Sequence, residues 1–187
     1  MANNQFLLMK DNRFLPLFVT QFLGAFHDNL FKNALIVMIL YHIAVTTGMD
    51  AKTQGLLTTA AAGALVLPFF IFSAMGGQLA DKFPKNRVMR VIKLVEIGIA
   101  ILGAASLIYQ SIPLSFVTLF ALGSHSAFFG PCKYSILPEQ LRRDELIGGN
   151  ALLNTGTFLA ILLGTIAGTT IMAGATGQYW MSAMMLA

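Results

Sequence analysis

The sequence is short of charge. Only 11% of its 187 residues are Asp, Glu, Lys or Arg, against about 25% in an ordinary soluble domain. That is too little to cover the surface of a water-soluble fold. It has one cysteine, Cys132, which excludes a disulfide framework and a multi-thiolate metal site. No arrangement of its histidines has metal-ligand spacing, so neither metal nor cofactor is expected. The phosphate-cradling loop, H-E-x-x-H, G-x-S-x-G and the dinucleotide fingerprint are all missing. Ser124-His125-Ser126 has no base and no orienting partner, so it is not a catalytic arrangement. No catalytic residue is assigned, and this segment does not read as an enzyme. The glycines show no triplet period, which excludes collagen. The low hydrophobicity that disorder requires is absent as well. Instead 56% of the residues are hydrophobic and the mean hydropathy is +0.72.

Length is therefore better counted in membrane crossings of about 20 apolar residues each. Residues 1–13 are polar and lack the apolar core and cleavage site of a signal peptide. Apolar runs follow at 14–45, 54–80, 91–109, 114–137 and 146–173, and a sixth begins at 179–187. The first would measure about 48 Å as one helix, longer than a hydrocarbon core of about 30 Å, so it can tilt or project. Residues 46–50, 110–113 and 174–178 read as turns. Residues 81–90 and 138–145 read as charged loops. Pro68 predicts a kink in the second run, and Gly130-Pro131 an interruption of the fourth. The sixth run is too short to cross a bilayer, so the chain is expected to be part of a longer protein.

Basic residues set the orientation. With the N-terminus in the cytoplasm, the inner segments hold Lys10, Arg13, Lys82, Lys85, Arg87, Arg90, Lys93, Lys133, Arg142 and Arg143. The outer turns hold only Lys52, and Lys32 lies within the first crossing. This is a decisive positive-inside bias. The net charge of +4 thus reflects cytoplasmic loops, and no nucleic-acid partner is expected.

Charge at bilayer depth costs at least about 2.5 kcal/mol per group, so it normally faces an interior or a cavity. The first crossing holds Gln21, His27, Asp28, Asn29, Lys32 and Asn33. Gln21, Asp28 and Lys32 share one helical face with Gly24 and Ala25, and Asp28 and Lys32 are spaced to pair at i, i+4. Such a pair serves either as glue between helices or as the lining of a translocation path. His27 and His125 read as hydrogen-bonding core residues or as proton carriers. Glu96 sits three residues after Lys93, either in a local ion pair or on the path. Gly156, Ala160, Gly164 and Gly168 form a small-residue stripe suited to close helix packing.

The stretch Gly76-Gly77-Gln78-Leu79-Ala80-Asp81-Lys82-Phe83-Pro84-Lys85-Asn86-Arg87 resembles the signature loop of the major facilitator superfamily, G-x-L-A-D-[RK]-x-G-[RK]-[RK]. Pro84 replaces the usual glycine and Asn86 a usual basic residue. A narrower resemblance runs through residues 18–34, 128–139 and 148–151. These are similar to the bacterial lysophospholipid transporter family, in which asparagine is usual in place of His27. Gly130, Pro131, Lys133, Tyr134, Glu139 and Asn150 carry the second part of that likeness.

The resemblance implies an all-α integral membrane protein of twelve helices, multi-pass in the bacterial inner membrane. This chain would be the N-terminal six-helix bundle, with five complete helices and a truncated sixth. Helices one to three and four to six would be inverted repeats. The implied function is secondary transport of lysophosphatidylethanolamine-like lipid to the inner leaflet by alternating access, for reacylation there. The implied partners are that lipid, the surrounding membrane lipid, the missing C-terminal half and an acyltransferase/acyl-carrier-protein synthetase. Asp28 would meet an ethanolamine ammonium and Lys32 the phosphate, with Gln21, Asn29 and Asn33 adding hydrogen bonds. Gly77, Asp81, Lys82, Lys85 and Arg87 would form a gating motif, in which the cations compete for Asp81. Other readings are a drug or metabolite carrier of the same superfamily, the membrane portion of a fused acyltransferase, and a half-transporter or scaffold. Drug antiporters would show a Gly-Pro pair in helix five, which Gly164-Thr165-Ile166-Ala167-Gly168 lacks.

Overall fold

The structure is a computed structural model, and it describes residues 5–174 and 176–186. A short 3-10 helix, Gln5–Lys10, precedes six helices: α1 Leu15–Thr47, α2 Ala51–Lys82, α3 Lys85–Ile108, α4 Ile112–Gln140, α5 Leu146–Met172 and α6 Gly177–Leu186. The first five are long and apolar enough to cross a membrane.

Local chemistry sets the ends. Pro16 occupies the first turn of α1, where its missing N–H costs nothing. The Asp50 carboxylate accepts from the Thr53 N–H at 3.1 Å and caps α2, and Ser111 caps α4 in the same way. Gly48, at φ 67°, closes α1 in the left-handed conformation that glycine adopts without strain.

Several boundaries differ from the sequence expectations. α1 continues to Thr47 through a π-helical stretch, Met38–Ile43, and α2 starts at Ala51 rather than residue 54. The expected basic loop at 81–90 shrinks to Phe83-Pro84, because α3 begins at Lys85. The fourth run is not interrupted: α4 passes through Pro131 and Pro138 to Gln140. Packing against neighbouring helices lets a membrane helix tolerate proline, and Pro131 sits where α4 meets Gly76 of α2.

The chief pairings are α1 with α5, α2 with α4, and α3 with both α4 and α6. Exchanging the first three helices with the last three carries the α1–α5 pair onto α4–α2. The two main pairs use the same device. A Cβ at Gly164 would lie 2.4 Å from the Phe26 carbonyl oxygen, and one at Gly168 would lie 2.4 Å from that of Leu30. Likewise a Cβ at Gly123 would lie 2.2 Å from the Leu65 carbonyl oxygen. Only glycine lets these backbones approach so closely. Phe31, Leu35, Met38, Leu119, Leu122 and Met172 fill one core. Phe14, Leu17, Phe129, Leu137 and Leu153 fill another.

The charged connections gather at one end of the bundle. Arg13 donates to the Gln140 carbonyl at 3.1 Å and lies 3.9 Å from Glu145. Arg142 also reaches Glu145, at 3.0 Å, and Lys85 pairs with Glu139. Outside the spanning segments, the Arg13 side chain holds the Asp11 carboxyl below its ordinary range.

Candidate functional site

Polar side chains on α1 and α4 face each other across a cavity of about 330 Å³. On α1 the lining comprises Thr20, Gln21, Gly24, Ala25, Asp28 and Asn29. On α4, Ser126, Phe129, Gly130 and Lys133 recur at i, i+3, i+4 and i+7, one helical face, and His125 and Tyr134 flank them. Lys93 enters from α3 and Thr157 from α5, while Leu65, Val66 and Phe69 of α2 give an apolar wall. One side of the cavity is thus polar and the other apolar.

Asp28 is buried, and its Oδ2 accepts from the Ser126 hydroxyl at 2.6 Å. Gln21 donates to the Thr157 hydroxyl at 3.1 Å. Lys93 pairs with Glu96 at 2.6 Å and lies 5.0 Å from the Phe129 ring centre. Glu96 also stands 3.7 Å from His125 Nε2, so the Lys93–Glu96 pair reaches α4. Lys133 is only 7% exposed and lies over the Tyr134 ring at 4.7 Å. Tyr134 donates to Asn154 at 2.9 Å, joining α4 to α5.

Four expectations change. Asp28 and Lys32 form no ion pair: Ser126 holds Asp28, and Lys32 Nζ donates to Asn29 Oδ1 at 3.0 Å. Lys32 lies outside the cavity lining. Asn33 donates to the Thr165 hydroxyl at 3.1 Å and to the Asn29 carbonyl at 2.8 Å, which makes it a tie between α1 and α5. His27 points toward α6, with Nε2 3.4 Å from the Met185 carbonyl oxygen. It borders, with Glu96, an adjoining and mostly apolar space of about 550 Å³ that shares Thr20, Gly24 and Lys93 with the first.

Asp81, Lys82, Lys85 and Arg87 of the expected gating motif flank the Phe83-Pro84 turn between α2 and α3. Asp81, Lys82 and Arg87 are exposed, and Lys82 lies over the Phe83 ring at 5.7 Å. Gly77 borders open space. Lys85 is engaged by Glu139 rather than Asp81. Of the second family stretch, Gly130, Lys133 and Tyr134 reach the cavity, and Pro131 packs near Gly76. Asn150 bonds its own helix at the Leu146 carbonyl. Sequence reasoning missed Ser126 and Thr157 as site contacts. The 126-129-130-133 stripe was the available signal for the first. Among the described residues, no group of three His, Cys, Asp or Glu could hold a metal.

The chain matches the Major Facilitator Superfamily over residues 17–187. It is 35% identical over 150 residues to the lysophospholipid transporter LplT of Escherichia fergusonii, covering 80% of this chain and 34% of that protein. It is 35% identical over 148 residues to LplT of Enterobacter sp. (strain 638), covering 79% and 34%. Against LplT of Klebsiella pneumoniae (strain 342) it is 35% identical over 156 residues, covering 82% and 35%. The chain therefore spans about a third of the length of these curated relatives. No solved structure matches it.

Proposed function

This chain belongs to the Major Facilitator Superfamily, and from that premise we propose that it forms the N-terminal part of a lysophospholipid transporter. Its five apolar helices make it a multi-pass membrane protein, and the membrane of this proposal is the bacterial inner membrane. The cargo is a lysophosphatidylethanolamine-like lipid, delivered to the inner leaflet by alternating access with a second six-helix half. An acyltransferase/acyl-carrier-protein synthetase, separate or fused, then restores the second acyl chain, so the chemistry lies outside this segment.

The observation that carries this reading is Asp28. Its buried carboxylate lines a cavity with one polar and one apolar side, and its neighbour there is a neutral hydroxyl rather than a cation. An unpaired buried carboxylate is expensive, and an ethanolamine ammonium supplies the missing charge. The apolar α2 wall suits an acyl chain. Head-group-resolved lysophospholipid uptake into spheroplasts by the full-length protein tests it. Asp28→Asn should abolish lysophosphatidylethanolamine uptake while the protein still inserts, and normal uptake by that variant sinks the reading.

Asp81 has a separate role in this proposal. Exposed at the end of α2, it meets a helix of the second half when the transporter closes on that side. A carboxylate at a helix N-terminus is favoured by up to about 1 kcal/mol. Conformer populations measured by site-specific crosslinking should shift in Asp81→Asn; identical populations and transport reject the role.

A further inference from the structure

We propose that Lys133 binds the phosphate of the transported lipid; this rests on the lysophospholipid reading and assigns the second half of the head-group site. Sequence spacing pointed to Lys32 for that task, but Lys32 is held by Asn29 at 3.0 Å outside the cavity lining. Lys93 lines the cavity, but its charge is matched by Glu96 at 2.6 Å. Lys133 is the remaining cation of the lining. It is 7% exposed, no carboxylate of the described residues lies within ion-pair distance, and its ammonium rests on the face of the Tyr134 ring.

A buried cation without a counter-charge is strongly disfavoured unless an anion completes it. The cavity that Lys133 lines is where that anion would sit. Phosphate suits the position because lysine meets it as a compact point charge with three donors.

The placement matches a zwitterion. Ser126 marks where Asp28 touches α4, and Lys133 is two helical turns further along the same face, about 10.5 Å between backbone positions. Asp28, Ser126 and Lys133 all line the same cavity. A head group lying along α4 thus meets the carboxylate with its amine and the lysine with its phosphate. The two residues divide recognition. Asp28 selects for an amine, and Lys133 selects for the phosphate that all lysophospholipids share.

The division is tested in the full-length protein with lysophosphatidylethanolamine, lysophosphatidylglycerol and a chain-matched monoacylglycerol. Lys133→Met removes the charge while keeping an apolar stem that a buried helix accepts, and Lys133→Arg keeps the charge. Lys133→Met should raise the apparent KM for both phosphate lipids by about tenfold or more, while Lys133→Arg retains uptake. Asp28→Asn should discriminate between the two head groups, and Lys133→Met should not. Unchanged KM values in Lys133→Met, beside an active wild type, overturn the phosphate assignment and leave the transport reading intact. If the wild type takes up no lysophospholipid, the transport reading fails. The lysine is then judged by binding of dodecylphosphocholine against dodecyldimethylamine oxide to purified protein. A preference for the phosphate detergent that Lys133→Met erases supports the phosphate site, and a preference unaffected by the substitution rejects it.

Discussion

The Ser126 hydroxyl donates to Asp28 Oδ2 at 2.6 Å, a bond from α4 to α1 across the cavity. It fixes the carboxylate where the two polar stripes meet. It leaves the second carboxylate oxygen for a ligand. A hydrogen bond to a charged group contributes about 1.5–3 kcal/mol. Ser126→Ala should therefore raise the KM for lysophosphatidylethanolamine about tenfold with little change in membrane insertion, and Ser126→Thr should restore it. An alanine variant with wild-type KM would show that Asp28 is positioned by its own helix alone.

The glycine contacts make a prediction about packing rather than transport. At Gly164 an added Cβ meets the Phe26 backbone oxygen at 2.4 Å, which no side-chain rotation relieves. Gly164→Ala should destabilise the purified full-length protein by about 1–3 kcal/mol. Gly63 in α2 has nothing within 4 Å of its would-be Cβ. Gly63→Ala should be neutral or stabilising by up to about 1 kcal/mol. Thermal unfolding in one detergent compares them, and equal shifts in Tm would contradict the close-contact account.

The helices were legible because each membrane crossing must be about 20 apolar residues long, and the 156-160-164-168 stripe announced its close packing. Asp28 stood out for the same reason, as a charge in an apolar run. Lys32 misled because periodicity identifies a helical face but not which residue captures its nitrogen, and Asn29 lies within reach. Ser126 and Thr157 were hidden because hydroxyls in helices usually bond their own backbone, as Thr157 does to the Leu153 carbonyl at 2.7 Å. Pro131 read as a break and Pro138 as the start of a loop, since the neighbours that make a proline tolerable in α4 are remote in sequence.

Acid should loosen one helix end selectively. Asp50 precedes α2 outside the spanning segments. The Thr53 hydroxyl at 2.6 Å, with the Thr53 N–H, holds its carboxyl below the ordinary 3.8. A carboxyl depressed in the folded state stabilises fully above its unfolded pKa, and the benefit is lost as pH falls through the lowered folded value. Asp50→Ala should speed amide exchange of residues 51–54 at neutral pH, and Asp50→Asn, which keeps the cap but loses the charge, should speed it by less. The ratio of asparagine to wild-type exchange should approach one as pH drops through the lowered folded value. A constant ratio would remove the carboxylate from the account.

The membrane orientation rests on charge, and it can be measured directly. Lys52 and Asn86 flank opposite ends of α2, and both are exposed. The basic residues of the α2–α3 and α4–α5 connections lie with Asn86, so the positive-inside bias puts that end in the cytoplasm. Native Cys132 is fully buried, so it adds little labelling background. In intact spheroplasts an impermeant maleimide should label Lys52→Cys at once. It should reach Asn86→Cys only after the membrane is permeabilised. The opposite pattern would invert the bundle and turn the end bearing Asp81 outward, which would also displace the gating role proposed for it.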